Sequence, residues 1–154
     1  MVKRAALINY LSKLKDKFPR HFDSIDLGKV EIYIDVEERS ERRKIVEIIR
    51  EYQEHFVLVL LKILQNKLSN DFYAKEPHGT YAIKFKNKKT NPRIYCLEFK
   101  DENSIRKVVM VRGVWNKQDN KLDKSMLTQL KAISEYHYKF FKLPKDAIKH
   151  REKK

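Results

Sequence analysis

The order in which hydrophobic periodicity changes along the chain most constrains its fold. Residues 29–37 alternate apolar and polar side chains, which predicts a half-buried strand. Residues 40–63 repeat apolar side chains every three or four positions, which predicts helix. Three strand-like segments then follow one another at residues 81–86, 93–99 and 105–115. Because runs of adjacent strands favour antiparallel pairing, we predict an α+β fold, with an antiparallel-rich sheet of about four strands and a helical pair packed on one face.

The central helical region is too long for one straight helix in a chain of this size. Ser40 is its predicted N-cap, and a helix of nearly thirty residues would span about 45 Å. We therefore predict a bend or hairpin near Glu54 and His55. Residues 69–80 are polar, contain a proline and a glycine, and are predicted to form a loop.

Both ends of the chain show helical periodicity. Residues 4–17 place four apolar side chains on one stripe, and Pro19 is expected to end this helix. Asp123 can cap a last helix after the strands. The buried stripe of that helix is predicted to contain Met126, Leu130, Ile133, His137 and Phe140.

Length and composition support one folded domain. A chain of 154 residues with 42% hydrophobic residues can bury one core and not comfortably two. We expect an N-terminal helical extension over residues 1–28, an α+β domain over residues 29–141, and a basic C-terminal tail over residues 142–154.

The charge of the chain indicates a polyanionic partner. Lys and Arg number 35 against 21 Asp and Glu, which gives a formal net charge of +14. Such a charge attracts nucleic acids, acidic proteins or anionic membranes. Eight Tyr and eight Phe can stack on bases, so RNA or DNA is favoured. The alternative is a lysine-rich surface that is only solvated.

Several classes of protein are not indicated. The single cysteine, Cys96, allows no disulfide within the chain and is interpreted as a small core residue. The longest apolar run, residues 56–61, is too short to span a membrane, and no signal-peptide cleavage site follows the N-terminus. We therefore expect a cytoplasmic protein without membrane contact. Three glycines cannot build a phosphate-binding loop, and the histidines lack metal-ligand spacing, so we expect no cofactor and no metal.

A set of cations on the predicted strands is the candidate site. Lys84 and Lys86 share one face of a strand, Arg93 begins the next strand, and Arg112 lies near the end of the last. Hairpin pairing can bring Arg93 and Arg112 to the same end of the sheet. Cations around a phosphate can stabilise a phosphorane-like transition state. The lysines can equally serve solubility and edge protection, whereas an arginine in an apolar strand calls for a partner or a function.

Further candidates flank these cations. Metal-free RNA cleavage uses the ribose 2′-hydroxyl as nucleophile and requires an acid and a base. Tyr136 and Tyr138 lie off the apolar stripe of the last helix and could supply such a group, whereas His137 lies on the stripe and suits a core histidine. Trp115 can stack on a base or cover the sheet edge. The basic residues Lys88, Lys89 and Lys117 could contact a nucleic acid.

Three stretches of the second half occur in a characteristic order. They are residues 81–86 (YAIKFK), 92–99 (PRIYCLEF) and 107–117 (KVVMVRGVWNK). A strand with basic residues, an Arg-aromatic strand and a Val-rich strand ending in a polar residue, Gly, an apolar residue and Lys are followed by a closing helix. This order resembles the RelE/ParE superfamily of bacterial toxins, over roughly residues 29–141.

The resemblance implies a metal-independent endoribonuclease that cuts mRNA, often on the ribosome, and is neutralised by an acidic antitoxin. By position it makes Lys84, Lys86, Arg93, Arg112 and Lys117 the phosphate-binding and catalytic cations. It matches Tyr136, His137 or Tyr138 to the acid–base residue at the end of the last helix. The chain departs from the pattern in its extra N-terminal helix and in Val-Trp-Asn after Gly113, and the ParE branch poisons gyrase instead of cutting RNA. A basic binding module without catalysis, or an interaction protein for an acidic partner, therefore remains open.

Overall fold

One mixed sheet organises the chain in the computed structural model. The residues that the structure describes are 2–8, 16–17, 19–22, 29–68, 71–85, 91–115 and 124–142. Their strands are β1 (Val2–Leu7), β2 (Val30–Asp35), β3 (Tyr73–Lys75), β4 (Tyr81–Lys84), β5 (Arg93–Lys100), β6 (Arg106–Val114) and β7 (His137–Lys142). Their α-helices are the single turn α1 (Pro19–Phe22), then α2 (Arg39–Glu51), α3 (Gln53–Leu64) and α4 (Lys124–Ile133).

The strand order of the sheet is β3-β4-β5-β6-β2-β1-β7. Pairs β2·β6 and β1·β7 are parallel, and the remaining neighbours are antiparallel. The predicted α+β class is confirmed. The predicted four-stranded antiparallel-rich sheet is not, because β1, β3 and β7 extend the sheet to seven strands and two of its pairs are parallel.

Helices cover both faces of the sheet. The pair α2 and α3 packs on one face, where Ile45, Phe56 and Leu60 join a core with Ile32 and Met110. The helix α4 packs on the opposite face. Its Leu130 and Ile133 join a second core with Tyr33, Tyr95, Leu97, Val109 and Val111. The helical pair therefore packs on one face as predicted, the last helix lies on the other face, and β2 is buried on both faces instead of one.

The N-terminus forms a strand and not the helix predicted for residues 4–17. Alternation starts at Val2, which is exposed, and Lys3, which is buried, and β1 is hydrogen-bonded between β2 and β7. The predicted helical extension over residues 1–28 is wrong in this part, since pairing on both sides outweighs the local helical stripe. Residues 16–17, the last two of the predicted helix, are helical, Pro19 begins the turn α1, and residues 9–15 and 23–28 lie outside the described part.

The last helix is shorter than predicted. The helix α4 ends at Ile133, and a tight turn with bonds from the Glu135 and Tyr136 amides leads into β7. The predicted helical positions of His137 and Phe140 are therefore wrong. Aromatic residues at every second position, from Tyr136 onward, suit a strand that pairs with β1. Residues 143–154 of the predicted tail are outside the described part.

The helical pair and the hairpin follow the predicted order. The break between α2 and α3 falls at Tyr52, slightly before the predicted Glu54 and His55. The loop predicted for residues 69–80 contains the short strand β3. The hairpin of β5 and β6 is confirmed, with a turn in which the Asp101 carboxylate accepts bonds from two backbone amides. Within the described residues, no helix is long and apolar enough to cross a membrane.

Candidate functional site

A β-bulge in β6 determines where Arg112 points. Cys96 of β5 pairs with Met110, whereas Tyr95 pairs with Arg112, so Val111 and Arg112 together oppose the single residue Tyr95. A bulge of this kind redirects side chains locally. Val111 packs in the core under α4, and Arg112 reaches Tyr136 on the same side of the sheet. The bulge thus directs the guanidinium away from the α2 and α3 layer.

The guanidinium of Arg112 has weak partners. Its Nη2 lies 3.5 Å from Glu38 Oε2 and 3.5 Å from the Tyr136 hydroxyl. Its Nε is buried, and no residue of the described part accepts a hydrogen bond from it. The side chain keeps 21% of its surface exposed. Because both contacts of Nη2 are long and part of the side chain is exposed, the exposed part of the guanidinium can bind an additional anion.

Arg112 borders a partly buried polar network that joins β1, β2 and the residues next to them with β7. We call Lys3, Asp35, Glu38, Tyr136 and Tyr138 the Asp35 network. Lys3 Nζ lies 3.1 Å from Asp35 Oδ2 and 3.2 Å from Glu38 Oε1, and it sits 4.0 Å above the Tyr136 ring. The Tyr138 hydroxyl donates to Asp35 Oδ2 at 2.6 Å, and the Tyr136 hydroxyl donates to Glu38 Oε1 at 3.3 Å. Asp35 Oδ1 accepts the backbone amides of residues 37 and 38, which fixes the start of α2.

The network raises the pKa of two of its members. Burial and the hydrogen bond to Asp35 raise the pKa of Tyr138 well above its ordinary value. Burial alone would lower the pKa of Lys3, but the bonds and charges of Asp35 and Glu38 raise it above 10.5. Lys3 is therefore a cation, and Tyr138 a neutral donor, at neutral pH. Neither residue can act as a general base there.

An open depression of ≈ 350 Å³ lies beside Arg112 where β6 ends. It is lined by Glu41, Lys44, Arg112, Gly113, Val114, Trp115, Met126 and Gln129. Gly113 holds β6 against α2, because its amide donates to Glu41 Oε1 at 3.2 Å and a Cβ would lie 3.2 Å from the Ile45 nitrogen. Trp115 follows directly and contacts Tyr52, with ring centroids 6.4 Å apart.

Lys84 and Arg93 lie on the same face of the sheet as Arg112, but deeper. Lys84 pairs directly with Arg93, and Arg93 pairs with Val114, two positions from Arg112. The predicted meeting of Arg93 and Arg112 at one end of the sheet is confirmed. Lys84 is 7% exposed, with Glu76 at 3.7 Å, and Arg93 is 1% exposed, so a phosphate cannot reach either side chain in this conformation. Their phosphate-binding roles stay predictions.

The remaining predicted residues separate into three groups. Tyr138 lies in the Asp35 network and Trp115 at the depression. His137 is exposed and points away from Tyr138 on its strand, so its predicted place in the core is wrong. Lys86, Lys88, Lys89 and Lys117 lie outside the described residues. The parts of the chain that are described contain no cluster of His, Cys, Asp or Glu suited to a metal ion.

Sequence patterns did not reveal the acidic members of this site. A half-buried strand over residues 29–37 with its apolar side chains inward leaves Tyr33 and Asp35 on the exposed face, yet both residues are buried in the structure. The available signal was Tyr33, since an aromatic residue on a supposed solvent face indicates that something covers it. Lys3 precedes the predicted helix over residues 4–17, and Glu38 lies between the predicted strand and the predicted N-cap Ser40, so neither residue carried a signal of its own.

The arrangement combines an accessible cation with aromatic and amide groups. Arg112 and Lys44 can bind a phosphate, and Trp115 can contact a planar ring. Glu38 and the Tyr136 hydroxyl lie beside Arg112 and can exchange a proton. No model of a protein family matches this chain, and no curated protein or solved structure matches it significantly.

Proposed function

We propose that this protein is a cytoplasmic toxin of the RelE/HigB type, a metal-independent endoribonuclease that cuts mRNA in association with the ribosome and is neutralised by an acidic antitoxin. The observation that carries the proposal is Arg112, whose guanidinium lies under-satisfied at the edge of an open depression. A bulge next to a functional side chain is a recurrent device, and this one presents Arg112 to the depression. The formal net charge of +14 favours a polyanionic substrate.

The proposed reaction places the scissile phosphate at Arg112. The ribose 2′-oxygen attacks phosphorus, the bond to the 5′-oxygen breaks, and the products are a 2′,3′-cyclic phosphate and a 5′-hydroxyl. Arg112 neutralises the charge that develops on the phosphorane oxygens. Glu38 accepts the 2′-hydroxyl proton and Tyr136 donates a proton to the 5′-oxygen. The 3.3 Å bond between Tyr136 and Glu38 then returns the proton and restores both groups.

A second candidate is a basic protein that binds nucleic acid or inhibits gyrase without catalysis. The burial of Lys84 and Arg93 favours this candidate. Among the cations that were predicted on β4, β5 and β6 and that the structure describes, only Arg112 has substantial exposure. A protein that only binds nucleic acid can do so with fewer accessible cations than an enzyme that catalyses phosphoryl transfer. Its signature is affinity for RNA or DNA that falls with salt and yields no cleavage products.

Expression in a bacterial host and cleavage in vitro distinguish these candidates. We expect growth arrest with new mRNA 5′ ends, and cleavage of purified mRNA, with or without ribosomes, that persists in a metal chelator. Arg112→Ala should abolish both effects while the protein stays folded. Arg50→Ala is the matched control, because Arg50 is an exposed cation in the last turn of α2. Arrest without new ends supports the gyrase-type alternative, and cleavage by Arg112→Ala at the normal rate would refute the assigned site.

A further inference from the structure

The depression beside Arg112 has the chemistry of a nucleotide site and not of a bare phosphate site. Its charged lining residues are Lys44, Arg112 and Glu41, and Lys44 Nζ lies 2.8 Å from Glu41 Oε2, so Arg112, with its longer 3.5 Å contact to Glu38, is the cation with more capacity for a phosphate. The other lining side chains with functional groups or large surfaces are Trp115, Met126 and Gln129. An aromatic ring and a thioether suit the face of a base, and an amide can both donate to and accept from its edge.

Contacts of the neighbouring Gly113 with α2, and of the indole with Tyr52, hold Trp115 in place at the depression. Glu41 accepts the bond from the Gly113 amide, and the close approach of Gly113 to α2 leaves β6 no room to shift. The indole contacts Tyr52 and is half-buried, so its position is set before any ligand arrives. Preorganised aromatic rings lose little entropy when they stack on a base.

The size of the depression limits what can enter. A volume of ≈ 350 Å³ lies at the lower end of the range for ligand sites, roughly 300–1,000 Å³. It suits one nucleotide and not a base pair. A base inside a duplex is stacked and paired, and therefore cannot reach a concave surface without being extruded.

We infer that this depression takes one unpaired nucleotide of an RNA strand, with its base on Trp115 and its phosphate at Arg112 and Lys44. The inference rests on the proposed function and adds to it a subsite for one unpaired base at Trp115. Trp115 is the only tryptophan in the chain, so its fluorescence reports on this site alone.

The test is a titration of the full chain with a short 2′-O-methyl oligo(U), which lacks the nucleophile and cannot be cut. We expect saturable quenching of Trp115 emission, and no quenching by a duplex of the same length. Binding of a dye-labelled oligo(U), followed by anisotropy, should weaken about 5- to 150-fold in Trp115→Leu, as expected for the loss of one stacked base. Trp115→Phe, which retains an aromatic face, should keep most of the affinity. Circular dichroism and thermal melting establish that both variants are folded.

Three results would overturn the inference in distinguishable ways. Anisotropy that reports tight binding while Trp115 emission stays unchanged would place RNA elsewhere and leave the proposed function standing. Equal quenching by the duplex would remove the single-strand requirement. No binding of any RNA would refute the proposed function itself.

Discussion

Replacing Tyr138 by Phe separates a structural role for this residue from a catalytic one. The hydroxyl donates at 2.6 Å to the buried carboxylate of Asp35, and the pKa of Tyr138 is raised far above its ordinary value. A hydrogen bond to a charged group contributes about 1.5–3 kcal/mol to stability. After the substitution Asp35 keeps Lys3 and two backbone amides, so no unpaired charge is left behind. We therefore expect a loss of about 2 kcal/mol, less than the about 3–5 kcal/mol for breaking a buried ion pair.

The assay is thermal unfolding combined with RNA cleavage. For a chain of this length about 2 kcal/mol corresponds to a fall in Tm of about 4–8 °C. Cleavage below the new Tm should be retained, because the Tyr138 hydroxyl bonds to Asp35 and Tyr138 is not among the residues that line the depression. An unchanged Tm together with a cleavage rate as low as that of Arg112→Ala would refute the reasoning and make Tyr138 catalytic.

Tyr136→Phe is the matched comparison. Its hydroxyl makes longer bonds, 3.3 Å to Glu38 and 3.5 Å to Arg112, and the ring that stacks under Lys3 is kept. We expect a change in stability of about 0.5–1 kcal/mol or less. If this hydroxyl protonates the leaving oxygen, cleavage should fall about 10²- to 10⁴-fold.

Three further outcomes are expected. Gly113→Ala should cost about 1–3 kcal/mol in urea unfolding, because its Cβ would lie 3.2 Å from the Ile45 nitrogen. The free energy of unfolding should fall as pH rises above the ordinary pKa values of 10.0 for Tyr and 10.5 for Lys. The raised pKa values of Tyr138 and Lys3 keep protons on the folded state that the unfolded state loses. Urea unfolding at several alkaline pH values measures this fall, and Tyr138→Phe should make it smaller. Arg112→Ala should lower the slope of log affinity for oligo(U) against log salt by about 0.7, the share of one phosphate contact on a single strand, whereas an unchanged slope would separate Arg112 from RNA.

The local patterns of the sequence predicted the elements of the middle of the chain and missed its ends. Residues 29–37 and the hairpin of β5 and β6 carry strong period-2 or apolar signals, and the structure places strands there. Phe140 fits the helical stripe and also fits a strand alternation with Tyr136 and Tyr138. Which of the two forms depends on the edge that β1 offers, and β1 itself is a short segment whose partners are distant in sequence.

The cations of the candidate site could be predicted from the sequence, whereas its acidic residues could not. Arg112 stands out because a cation interrupts an apolar strand, and the pairing of β5 with β6 brings Arg93 near it. The acidic partners could not be recognised, because Asp35 and Glu38 become partners of Lys3 and Arg112 only when β1 is inserted beside β2. Burial of Lys84 and Arg93 depends likewise on packing between distant segments, which no local pattern specifies.

The face of the sheet to which Arg112 points depends on a one-residue shift in the pairing of β5 with β6. If the pairing of Cys96 with Met110 continued without a bulge, Ile94 would oppose Arg112, and Ile94 belongs to the core under α2 and α3. The guanidinium would then enter an apolar layer, where an isolated charge is very costly. The extra residue Val111 moves Arg112 to the other face, where Glu38 and Tyr136 lie and where the depression opens. The apolar layer on one side and the polar network on the other therefore favour the same bulged register, so the interactions that stabilise the sheet also present the cation on which the proposed function depends.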